Sequence, residues 1–164
     1  MPAFVSHGII SYLIFGKRGV YYSAIPDLLG FSYYFFRMFL RIDYFNLKFQ
    51  DILRWGDIFP QSEMNETDWL LYDISHSLFL WFLVYYFTKD KAVYAAILGI
   101  IMDIFLHDDN IWKGPAFMFP FNNEYRFNGI HWLSPKGILI TSLVKLVLLL
   151  VSSKVIKRLV NSLP

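Results

Sequence analysis

The chain has 164 residues, enough for one domain with its own core. It is 56% hydrophobic and 17% charged with a mean hydropathy of +0.42, whereas a soluble domain averages roughly 45–50% apolar and about 25% charged, so the composition leans toward lipid. A net charge of +2 with scattered bases and no phosphate-binding glycine loop argues against nucleic acid, and the lack of cysteine excludes disulfides, thiolate metal sites and a cysteine nucleophile.

Residues 3–15 (AFVSHGIISYLIF) read as a short apolar helix. Gly16-Lys17-Arg18-Gly19 ends it, with glycine as the stop and bases at the boundary. Residues 20–40 are apolar and aromatic again. Pro26 lacks a donor and disfavours helix at the residue before it, so a break or kink is expected near Ile25, giving one kinked span or two short helices. The insertion 41–67 is the most polar region. Within it, 44–55 places Phe45, Phe49, Ile52 and Leu53 on one side, as an amphipathic helix that lies on a membrane or caps the domain. Residues 56–67 form a loop whose Asn65-Glu66-Thr67 matches a glycosylation acceptor, a triplet common by chance.

Residues 69–88 are about as long as a hydrocarbon-crossing helix, with Asp68 as its candidate cap. A charged link, Lys89-Asp90-Lys91, leads to a second apolar helix over 92–107. Ala95, Ala96 and Gly99 give that helix a small-residue face for close packing. An aromatic loop covers 108–136, and a last apolar helix, 137–153, is followed by Lys154, Lys157 and Arg158. If the apolar helices alternate, Lys17-Arg18, Lys89/Lys91 and Lys154–Arg158 share one side, which the positive-inside rule makes cytoplasmic.

Four groups in the central stretch carry chemistry. Asp73 and His76 are three residues apart and Asp103 and His107 four apart, so each pair shares a helix face. An αα-hairpin through 89–91 brings all four to one level, opposite the lysine turn. An ionisable group at mid-bilayer costs roughly 2.5–3.5 kcal/mol and signals function by default. Singly, each has a plainer role: His76 and His131 as structural histidines, Asp73 as partner of His76 or of a loop arginine, Asp103 as acceptor for hydroxyls. The set, more than any member, points to a site.

The motifs in order are Ser6-His7-Gly8, Ala24-Ile25-Pro26-Asp27, Ser75-His76-Ser77-Leu78, the run from Gly99 through Asp103 to His107, and Phe119-Pro120-Phe121. In this order and helix placement, roughly residues 7–127 resemble the membrane-bound metal-dependent hydrolases (the YdjM-like family), distantly similar to zinc-dependent phospholipase C. The resemblance implies a metal site built from His7, Asp27, His76, Asp103 and His107. Asp103 stands where the family has histidine and His107 where it has aspartate. Ser75 replaces a threonine, and Leu28-Leu29 stand where a second acid often follows.

Such a sulfur-free set suits zinc, with manganese or iron(II) as alternatives. A bound water then acts as nucleophile. Asp73 is expected to orient His76 or act as general base, and Arg126 or Lys113 to hold a phosphate. The expectation is an all-α, multi-pass membrane helical bundle forming a single domain over 1–164. It has about four apolar helices, an amphipathic interfacial helix and a metal site at one end, and it hydrolyses an ester or phosphoester of a lipid. The alternative is a non-catalytic multi-pass scaffold or partner-binding protein whose His/Asp hydrogen-bond network fixes packing. A third reading is a proton or ion path through Asp73, His76, Asp103 and His107.

Overall fold

The computed structural model describes residues 2–40, 61–108, 113–132, 134–151 and 153–163. Among them the fold is all-helical, without a strand. The amphipathic helix expected over 44–55 lies outside the described residues.

Gly16 sits at φ 70°, ψ −158° within the first helix, α1 (Pro2–Phe39), a left-handed backbone that any side chain would strain. His7 and Asp27 are twenty residues apart, about 30 Å along an unbroken helix. Their side chains nevertheless lie 4.0 Å apart. A Cβ on Gly19 would also come within 2.7 Å of the Ser11 carbonyl oxygen. α1 is therefore folded back at Gly16 into two arms, 2–15 and 17–39, and the expected helix stop is a hairpin. The break expected near Ile25 is absent, since helix continues through Pro26. Packing offsets the one lost hydrogen bond: Tyr22 and Ile25 lie against the Val93–Ile104 core, and Tyr34 against Met64 and Tyr72.

The single span expected over 69–88 is two helices, α2 (Glu66–Ser75) and α3 (Leu78–Thr88), bent by 46°. Local hydrogen bonding makes the break. His76 closes α2 as its C-cap. Ser77 is extended and accepts the Leu80 N–H to start α3, and its hydroxyl donates to the Phe119 carbonyl at 2.5 Å. At the other end, Asn65 caps α2 instead of Asp68. Asp68 completes a capping box and pairs with Arg37.

A 3₁₀ turn (Lys91–Val93) leads into α4 (Tyr94–Leu106). α4 is buried nearly all round, with Ala96, Ile97, Ile100 and Ile104 in the main core and Gly99 beneath the His7 ring. The 113–132 loop is stitched to the same end of the molecule. Leu78 N–H donates to Phe117 O at 3.1 Å, Gly129 N–H to His107 O at 2.8 Å and Ile130 N–H to Phe105 O at 2.9 Å. α5 (Pro135–Leu150) starts from a Ser134 cap. It ends three residues before the expected boundary, and the basic tail is a further helix, α6 (Ser153–Ser162).

Among the described residues no single helix is long and apolar enough to cross a membrane, although α2 and α3 together are, by length and composition. The outer surface is nonetheless apolar. On α5, Leu139, Leu149 and Leu150 are 59%, 65% and 75% exposed, and on α3 Phe87 is 78% exposed.

Candidate metal centre

Three separate segments converge on one point. The α1 hairpin brings His7 from its first arm against Asp27 from its second. The α2–α3 break supplies His76, and the last turn of α4 supplies Asp103 and His107. His7, His76, Asp103 and His107 are buried, and Asp27 keeps 19% of its side chain exposed.

The two carboxylates each span both imidazoles. Asp27 Oδ1 lies 3.3 Å from His76 Nε2 and Asp27 Oδ2 4.0 Å from His7 Nδ1. Asp103 Oδ1 lies 3.3 Å from His7 Nε2 and Asp103 Oδ2 3.7 Å from His76 Nε2. His107 Nδ1 stands 3.6 Å from Asp103 Oδ1. One ligand atom each from Asp27, His76 and Asp103 fall within 4.8 Å of one another.

The tautomers follow from the backbone. His76 Nδ1 faces the Tyr72 carbonyl at 2.9 Å, and His107 Nδ1 faces the Asp103 carbonyl at 2.8 Å. A carbonyl only accepts, so each Nδ1 carries a proton and donates it there. The Ser75 hydroxyl, 2.9 Å from His76 Nδ1 and 3.0 Å from the Tyr72 carbonyl, braces the same ring. The Tyr72 ring stacks on it with centroids 4.2 Å apart. His76 Nε2 faces two carboxylates, Asp27 at 3.3 Å and Asp103 at 3.7 Å. His7 Nε2 is buried without a hydrogen-bond partner.

Charge tells the same story. Arg18 pairs with Asp90, Arg37 with Asp68 and Arg126 with Asp73. Among the described residues neither Asp27 nor Asp103 has an arginine or lysine partner. The groups that face these two carboxylates are the imidazoles of His7, His76 and His107.

Asp73 stands apart from this cluster. Its carboxylate accepts two bonds from Arg126, at 2.9 and 2.7 Å, and one from the Ala116 N–H at 3.1 Å. Arg126 and the loop hold it, while the orientation of His76 comes from Tyr72 and Ser75. Ser75 belongs to the Ser75-His76 motif of the sequence, whereas no metal-ligand spacing marks Tyr72. Arg126 also donates to the Gly114 carbonyl at 2.8 Å and lies over the Trp69 ring. Lys113 has its backbone N–H on Gln61. His131 is buried away from the centre against Trp132, with Nε2 unpartnered, and burial pushes its pKa below the usual imidazole value against the opposing pull of Asp108.

No family model, no curated protein and no solved structure matches the chain.

Proposed function

We propose that this is a membrane-embedded, metal-dependent hydrolase that binds a divalent cation, zinc by preference, through Asp27, His76 and Asp103 with His7 and His107 beside them. The observation that carries the reading is the spacing of the ligand atoms. The Nε2-to-carboxylate separations of 3.3, 3.3 and 3.7 Å are longer than the roughly 2.7–2.9 Å of a charge-assisted hydrogen bond. They match the edge of a tetrahedron around an ion bound at about 2.1 Å, which is about 3.4 Å. The Nδ1 anchors of His76 and His107, and the lack of an arginine or lysine on Asp27 and Asp103 among the described residues, support the same reading.

A divalent ion held there would supply a water acidified toward a pKa of about 7. The chain's own groups then divide the work. Tyr72 and Ser75 hold His76 in one orientation. Asp27, the most exposed of the set, faces an incoming substrate and accepts a proton. Asp73 and Arg126 fix the 113–127 loop over the cluster. The substrate class we assign is a lipid ester or phosphoester. Supporting it is the apolar exterior of α3 and α5, which matches an acyl environment more closely than water.

A second reading, a non-catalytic membrane scaffold with a buried His/Asp network, is favoured by one observation. A cavity of about 500 Å³ lies at the opposite pole, lined by Phe15, Arg18, Lys91 and Val160 among others. Metal content separates the two. Detergent-purified protein loaded with zinc or manganese should retain about one equivalent by mass spectrometry, lost in both His76→Ala and Asp103→Ala. Retention by both variants would sink the proposed centre, and a well-folded wild type that holds no metal would favour the scaffold.

A further inference from the structure

Helix α6 takes no part in the His/Asp cluster. At 100° per residue its sequence, SKVIKRLVNS, puts the apolar positions 155, 156, 159 and 160 in one arc of the helical register and the polar positions 154, 157, 158 and 161 in the opposite arc. The apolar side is not used up by the core, because Val155 and Leu159 are 48% and 62% exposed. The helix is held at its C-terminal end, where Lys91 Nζ donates to the carbonyls of Asn161 at 2.9 Å and Leu163 at 2.7 Å. That clamp sets α6 beside the 89–91 turn, across the cavity from the Gly16 hairpin.

Charge at this pole is one-sided. Residues 151–164 contain Lys154, Lys157, Arg158 and no acid, and residues 1–26 contain Lys17, Arg18 and no acid. Asp90 is the acid that does lie here, and Arg18 holds it at 2.5 Å. α6 follows directly on α5, whose leucines and valines are exposed on most sides. A greasy helix leading into a basic, two-faced helix suits a hydrocarbon-to-headgroup transition.

We infer that α6 lies flat in the headgroup layer and that Lys154, Lys157 and Arg158 bind anionic phospholipid headgroups. The inference rests on the membrane reading above but not on the metal centre. Each base near an anionic surface adds on the order of fivefold in partition, so three together dominate lipid choice at this pole.

The test uses the full chain reconstituted with equimolar phosphatidylglycerol and phosphatidylcholine, with lipid adducts counted by native mass spectrometry. Wild type should enrich phosphatidylglycerol several-fold. The K154Q/K157Q/R158Q variant should lose that enrichment, and K154R/K157R, which keeps the charge, should retain it. An enrichment unchanged in the glutamine variant, or lost equally in the arginine variant, overturns the inference. Alkaline carbonate extraction separates the two failures. Wild type that washes off the membrane overturns the membrane reading and this inference with it. Wild type that resists extraction yet shows no phosphatidylglycerol preference overturns this inference alone and leaves an acidic protein as the better occupant.

Discussion

His76 is fixed from behind by two groups, and a glycine leaves them room. A Cβ on Gly30 would come within 2.7 Å of Ser75 Oγ and 3.3 Å of His76 Cε1 and Tyr72 Cα. Ser75 cannot turn aside freely, because its hydroxyl is shared between the Tyr72 carbonyl and His76 Nδ1. Partners of this kind commonly account for about 10–100-fold in metal affinity. Gly30→Ala is therefore expected to weaken zinc binding by about tenfold or more, read by competition titration with a chelating dye. Wild-type affinity in that variant would show that the brace behind His76 is dispensable. Asp73 and Arg126 follow another logic. Both are mostly buried, at 7% and 16% side-chain exposure, and their bidentate contact ties loop to helix.

At the scale of elements, the break between α2 and α3 matters most. Ser77 caps α3 through its own oxygen and donates its proton to Phe119, so one hydroxyl serves a helix start and a loop. Ser77→Ala removes a cap worth about 1 kcal/mol and leaves a carbonyl short of a bond worth about 1 kcal/mol more. The expected loss of about 2 kcal/mol should appear as a lower thermal midpoint in detergent; an unchanged midpoint would mean that the loop holds the bend unaided. The end of α2 also holds the chemistry: His76 keeps its helical N–H bond to the Tyr72 carbonyl and faces Asp27 and Asp103, while Asp73 pairs with Arg126.

The whole molecule has two poles. His7, Asp27, His76 and Asp103 each lie nine to thirteen residues from the basic turns at Gly16 or 89–91, which places the cluster about 13–20 Å from them along the helices. If the basic turns sit at one interface, the cluster lies within a hydrocarbon layer about 30 Å thick. A bound ion would then neutralise charge as well as activate water, and binding only to the folded state stabilises by about 2.7 kcal/mol at a hundredfold excess over Kd. EDTA should accordingly lower the melting temperature of zinc-loaded protein, and zinc should restore it. Asp103→Ala should show no such response. An equal EDTA shift in that variant would place the ion elsewhere.

Composition and local pattern alone were enough for an apolar, all-helical chain, for a stop at Gly16–Gly19 and for a hairpin at 89–91, because glycine geometry and hydrophobic runs act over a few residues. The residue types of the cluster were legible too, since acids and histidines are costly in apolar helices wherever they fall. Tertiary structure decided what spacing could not. The fold-back at Gly16 closes a twenty-residue gap between His7 and Asp27. Ser77 splits a run of hydrophobic residues that reads as one span. Arg126, over fifty residues downstream, claims Asp73. Each outcome depends on a partner distant in sequence, and helical periodicity carries no information about such partners.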